Sequence, residues 1–165
     1  YMGVESGDDK VLEYIKKNVN QDQMVEAAKK VKEAGILLSV TVILGLGGVA
    51  GSKGHVEETA RALTRMDPDY VGALTLTLVP GTRLHQEVLD GSFELVTPFD
   101  SLKELRSLVE LSSFTNCFFS SMHASNYFAI RGTLPRDKDK MLGRLDALIS
   151  RQDPRLLRPE FMRGL

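Results

Sequence analysis

The sequence predicts an α/β domain, an incomplete (β/α) barrel of about four parallel strands with helices on the outer face. Three observations lead there. Short runs rich in β-branched residues alternate with longer stretches of helical period. Two of the runs, 36–44 and 70–79, each set a leucine-rich parity against a threonine-containing one, as strands covered by helices on one side do. The helical stretches are punctuated by Asn20, Gly35, Pro68, Pro80 and Gly91, residue types that start or stop helices.

Bulk properties bound the rest. The chain has 165 residues and a net charge of −1, which fits one domain with a core of its own and shows no basic excess to mark nucleic acid as a partner. Cys117 is the one cysteine. It excludes an internal disulfide and any cysteine-clustered metal site, and it fits a reducing, cytoplasmic setting. The run 34–52 carries no charge but contains Gly35, Gly45, Gly47, Gly48 and Gly51. A membrane-spanning helix of roughly 20 apolar residues does not tolerate that many glycines, so the run reads as a strand feeding a glycine loop.

In order, residues 1–4 read as the end of a strand and Glu5-Ser6-Gly7 as a tight turn. Asp8 and Asp9 then open a helix that Lys16 and Lys17 close, the charge order favoured by the helix dipole. Asn20 caps a second helix with Gln23 in the capping-box position, and Met24, Ala27, Ala28 and Val31 form its inner stripe. The strand 36–44 follows, with Leu38, Val40, Val42 and Leu44 on one face and Ser39, Thr41 and Ile43 on the other. The loop 45–54 leads to a helix over 55–66. The strand 70–79 comes next, with Leu74, Leu76 and Leu78 expected on the helix side and Ala73, Thr75 and Thr77 opposite. A short helix over 82–89, a helix around 101–111, a strand over 115–122, and a last helix over 136–151 complete residues 1–150. Residues 151–165 read as a solvated, arginine-bearing tail.

Barrels and open parallel sheets both put function at the carboxyl ends of the strands. Four loops qualify: 5–8, 45–54, 79–82 and 123–126. In this order GVESG, a helix ending in lysines, VILGLGG with EET after it, DPDYVGALTLTLVPGT and GSFEL resemble the rear half of a radical S-adenosylmethionine (radical SAM) enzyme. The likeness is to the Elongator-catalytic-subunit and oxygen-independent coproporphyrinogen-oxidase-like Fe-S oxidoreductases, and it runs from Tyr1 to about Ile149.

The resemblance implies a partial barrel that begins at the end of the family's fourth strand. It implies that Glu5, Ser6 and Gly7 hold the ribose or aminoacyl part of S-adenosylmethionine, and that Lys16 or Lys17 meets its carboxylate. Thr41, Ile43 and Gly45 would form a wall beside the adenine, and Leu78, Val79 and Pro80 would read the adenine edge through their backbone. His123, Ser125 and Asn126 would stand on the substrate side. Gly47 and Gly48 depart from the family pattern, which often has proline and glutamate there. The family's C-x-x-x-C-x-x-C loop, which holds a [4Fe-4S] cluster and leaves one iron open, is absent.

The chain is therefore expected to be the C-terminal part of a longer enzyme that cleaves S-adenosylmethionine to a 5'-deoxyadenosyl radical. Alone it is expected to be inactive, to hold neither cofactor, and to cover its open sheet edge by dimerising. Its expected partners are the missing N-terminal half and a substrate of unidentified chemistry, with neither membrane nor nucleic acid indicated. Two other classes fit the residues. One is an α/β enzyme that binds a phosphorylated small molecule at the glycine loop, with the phosphate at the start of a helix near His55. The other is a non-catalytic interaction module. The residues also have plainer readings: helix capping for Glu5 and Ser6, solvated dipole partners for Lys16 and Lys17, a surface position for His85, a helix start for His55, and inert core for Cys117.

Overall fold

The computed structural model describes residues 1–164. The elements run β1 (Met2–Glu5), α1 (Asp9–Tyr14), α2 (Gln21–Glu33), β2 (Ser39–Leu44), α3 (Gly48–Met66), β3 (Tyr70–Thr75), α4 (Arg83–Leu89), α5 (Pro98–Leu111), β4 (Cys117–Ser120), β5 (Arg131–Leu134) and α6 (Lys138–Arg151). Two short 3-10 turns, Pro154–Leu156 and Glu160–Met162, follow. The strands form one five-stranded sheet in the order β1-β2-β3-β4-β5. The first four are parallel and β5 is antiparallel to β4. The sheet stays open, so the architecture is a mostly parallel α/β sheet and not a closed barrel.

Local chemistry accounts for many boundaries. Asn20 and Gln23 make the reciprocal capping box at the start of α2, and Gly35, at φ 73°, turns the chain beyond its end. Thr82 and Thr97 cap α4 and α5 with their hydroxyls. The helices cover one face of the sheet. Val4, Val40, Val42, Leu44, Val71, Ala73 and Phe119 are buried there in one cluster with Met24, Ala28, Val56, Leu63, Leu105, Leu108 and Leu145. Each large side chain in that cluster contributes roughly 1.5–3 kcal/mol relative to exposure. The other face, with Thr41, Ile43, Gly72, Leu74 and Ser120, is only half-buried.

The structure corrects the expected fold in several places. The helix expected over 55–66 begins at Gly48, because Val49 N–H finds Glu94 C=O at 2.9 Å and secures a first turn that glycine propensity argues against. His55 is therefore a buried mid-helix residue. In β3 the expected faces are exchanged. In-register pairing sets Val42 beside Ala73 and Ile43 beside Leu74, so Val71, Ala73 and Thr75 go to the helices and Leu74 to the open face. The regular strand ends at Thr75, short of 79. Helix α1 stops at Tyr14, and Lys16 lies beyond it in a left-handed conformation at φ 58°. The antiparallel β5 was not expected. Its sequence, RGTL, is too short and polar to show alternation and is defined by its pairing with β4.

Candidate functional site

The carboxyl ends of the parallel strands gather the candidate residues, and the first loop divides them. Ser6 is fully buried, and its hydroxyl is 2.8 Å from His55 Nδ1. His55 Nε2 lies 3.0 Å from the Ile43 carbonyl, which only accepts. Nε2 therefore carries the ring proton, Nδ1 accepts from Ser6, and Ser6 Oγ accepts in turn from Asp8 N–H. Burial lowers the His55 pKa from its ordinary value, keeping the ring neutral. Gly7 donates its N–H to Thr59 Oγ1 and packs so closely on the α3 backbone at Glu58 that a Cβ has no room. Ser6 and Gly7 thus face α3. Glu5, at φ 62°, instead lays its carboxylate over Gly3 and pairs with Lys17 Nζ at 3.0 Å. Lys16 is exposed.

The glycine turn after β2 already holds a carboxyl group. Gly45, at φ 79°, donates its N–H to Glu104 Oε2 at 2.6 Å, and the Ser52 hydroxyl donates to Oε1 at 2.5 Å. Glu104 is 3% exposed, and burial raises its pKa. Gly48 N–H bonds to Gly45 C=O and Val49 N–H to Glu94 C=O. The first two donors of α3, which a phosphate would use, are taken up by the protein. Nothing in the sequence reading marked Glu104. The available signal was an acid at helical spacing with the buried Ser101, Leu105 and Leu108.

After β3, Leu76 N–H extends the ladder to Leu44 C=O at 2.9 Å. Leu78 is half-buried, and its backbone N–H and C=O have no partner among the described residues, whereas Val79 C=O accepts from Thr82. Val79 and Pro80 are exposed. Beyond β4, Asn126 is 3% exposed and spends its amide on the carbonyls of Ala73 and Ser121 and its oxygen on the Thr75 hydroxyl. Ser125, also buried, accepts Thr75 N–H at 3.1 Å. Both are struts between the ends of β3 and β4. His123 Nδ1 accepts from Ser125 N–H at 3.2 Å, and Nε2 has no partner among the described residues.

The expected solvated tail docks on these loops. Arg158 Nη1 reaches the carbonyls of His123, Ala124 and Asn126. The Arg163 side chain, 3% exposed, donates to Ser125 C=O and Leu76 C=O at 2.6 Å each, and its guanidinium lies 4.2 Å from the centre of the Tyr127 ring. Glu160 accepts from both Arg163 and Tyr127. Together Gly45, Thr75, Leu78, Val96, Tyr127 and Arg163 line a cavity of about 250 Å³. Of the expected residues, Gly45 and Leu78 meet in this cavity. Thr41 and Ile43 share the open face of the sheet with Glu5.

Among the described residues no group of three His, Cys, Asp or Glu side chains stands ready for a metal ion. The Cys117 thiol is fully buried and its pKa is pushed up to about 12, chiefly by burial, so it is no ready ligand. Among the described residues no helix is long and apolar enough to cross a membrane.

The class that fold and site define is an α/β domain with its polar groups at the strand ends. No family model matches the chain. An uncharacterized methyltransferase of Pyrococcus horikoshii is 26% identical over 129 residues, which is 78% of this chain and 28% of that protein. A solved structure of the archaeal Methanocaldococcus infernus Elp3, with residues 1–46 deleted, superposes at a TM-score of 0.55 and 18% identity, covering 64% of this chain and 25% of that one. The second likeness shows the fold. The chain spans under a third of the length of either protein.

Proposed function

We propose that this chain is the C-terminal part of the catalytic domain of a radical S-adenosylmethionine enzyme. In this reading it supplies the adenosine-side wall of the S-adenosylmethionine pocket and a substrate-side loop. The observation that supports the reading is the coincidence of the family-like motifs with strand-end loops, in a fold shared with an archaeal Elp3. Glu5, Thr41, Ile43 and Leu78 are only half-buried, and Gly45, itself buried, lines the cavity with Leu78. The unpaired peptide groups of half-buried Leu78 suit the edge of a planar ring, which needs a donor and an acceptor at fixed spacing. Thr41 and Ile43 offer an apolar surface beside it, and Lys17 offers a cation for a carboxylate, already balanced by Glu5. Ser6 and Gly7 act one step back, holding the turn through His55 and Thr59. His123, with Nε2 unpaired, is the residue of its loop free to meet a substrate, while Ser125 and Asn126 set its position.

A [4Fe-4S] cluster does not fit the residues of this chain, since its one cysteine is buried and far from three-thiolate ligation. The chain's own share is to bind and orient the cosubstrate and to exclude water around it. The uncovered sheet face and the free edge of β1 are the surfaces that the rest of the polypeptide, or a second copy of the chain, would cover.

The test is amide exchange of the full-length protein with and without saturating S-adenosylmethionine. Protection over 41–45 and 76–80 is expected, and its absence there overturns the reading. A methyl-transfer outcome for the whole protein is a second reading, supported by the name of the Pyrococcus horikoshii relative. Transfer of a labelled methyl group to a product by the full-length enzyme would distinguish it.

A further inference from the structure

We propose that Arg163 is a positioning residue that builds the substrate-side loop from above. In this view segment 153–164 is a separable strap clasped across the ends of β3 and β4. The inference rests on the functional reading only in calling that loop substrate-side; the clasp itself stands on geometry.

Loop 121–127 follows a four-residue strand and has no regular structure. Its carbonyls lie beyond the reach of the sheet ladder, and each needs a donor. Arg158 supplies one group to three of them, its backbone N–H takes Tyr127 C=O at 2.8 Å, and Arg163 takes Ser125 C=O. Arg163 also takes Leu76 C=O on the next strand with a different nitrogen. A planar guanidinium holding two carbonyls from different strand ends sets the distance between them, which a lysine's point charge does not do. Tyr127 supports the fork from its flat face, and its hydroxyl accepts from Arg163 Nη1 at 2.6 Å. Its phenol pKa is pushed up to about 12, mainly by burial.

The strap holds on through these polar bonds and little else. Leu157 is its buried apolar anchor, whereas Leu156, Phe161 and Met162 are 41%, 86% and 61% exposed. A segment with so little apolar burial opens at low free energy without unfolding the sheet. When it opens, the 250 Å³ cavity loses Glu160 and Arg163 from its lining.

The experiment compares amide exchange by mass spectrometry in the wild-type chain, Arg163→Lys, Arg163→Ala and Tyr127→Phe, with Tm measured for each. Arg163→Ala is expected to raise exchange over 123–127 at least tenfold, while peptides of β1 and β2 stay unchanged. Arg163→Lys should recover only part of the protection. Tyr127→Phe, which keeps the carbonyl bonds, should stay close to wild type. Added methylguanidinium should restore protection to Arg163→Ala, a rescue that a merely structural loss would not show. Unchanged loop exchange in Arg163→Ala overturns the proposal, and so does an equal rise across the whole chain. Failure of S-adenosylmethionine to protect 41–45 would defeat the functional reading and leave these exchange results as they are.

Discussion

The strand ends fall into two halves that are held in opposite ways. At β1 and β2 the loops are tied from below by side chains of the helical layer. His55 spans Ser6 and the Ile43 carbonyl, Thr59 takes Gly7, and Glu104 takes Gly45. At β3 and β4 the ends are joined to each other by Ser125 and Asn126 and clasped from above by Arg158 and Arg163 of the C-terminal segment. Loops tied to the core share its stability, and loops tied to a thin outer segment do not. The first half is thus fixed by the core, and the second is left able to adjust.

Substitutions sharpen or break this contrast. Gly7→Ala should have the largest effect, because the new Cβ meets the α3 backbone at Glu58, which cannot move aside. A loss of about 4 kcal/mol in urea unfolding is expected, and a near-neutral result would mean that the turn is not locked to the helix.

Glu104→Ala leaves Gly45 N–H unpaired above a new hole and should cost about 3 kcal/mol. Glu104→Gln keeps an acceptor for Gly45 and removes the buried charge. Burial sets the folded pKa of Glu104 above its ordinary value of 4.5. Its stabilising contribution is therefore complete below 4.5 and lost as pH rises through the folded value. Wild type should lose stability relative to Glu104→Gln as pH increases from 4 to 7, and parallel pH profiles would contradict the buried-acid assignment.

His55 has the opposite sign. Its folded pKa lies below the ordinary 6.5, so its contribution is present above 6.5 and lost as pH falls through the depressed value. Unfolding free energy measured below pH 6.5 should decline more steeply in wild type than in His55→Gln. The smallest global effect belongs to Arg163→Ala, about 1 kcal/mol or less, because the strap opens without the sheet. A cooperative loss several times larger would erase the distinction between the two halves.

Much of the first half's scaffold was legible in the sequence, and little of the second's. The Asn20–Gln23 capping box, the turn at Gly35 and the faces of β2 each depend on residues a few positions apart. Thr41, Ile43 and Gly45 were marked as candidates through the likeness of VILGLGG to the radical SAM enzymes. Ser6 and Gly7 were marked too, but their partners lie 49 and 52 residues away, so nothing local told a ligand contact from a helix contact. Arg163 looked like a solvated arginine because its acceptors at Leu76 and Ser125 are 87 and 38 residues distant. Glu104 and His55 were passed over for the same reason. The parity of β3 was misjudged because leucine content was taken to choose the buried face, whereas pairing with β2 chooses it.

The sequence by itself determined the order of the strands and helices apart from β5, the capping box of α2, and the four strand-end loops, because these follow from spacing and backbone preference within a turn or two. Only the tertiary structure decided which polar side chains hold those loops and which remain free. A buried hydroxyl, carboxylate or guanidinium takes its role from whichever partner the fold brings within about 3 Å of it, and at Ser6, Gly45 and Leu76 that partner is distant in the chain.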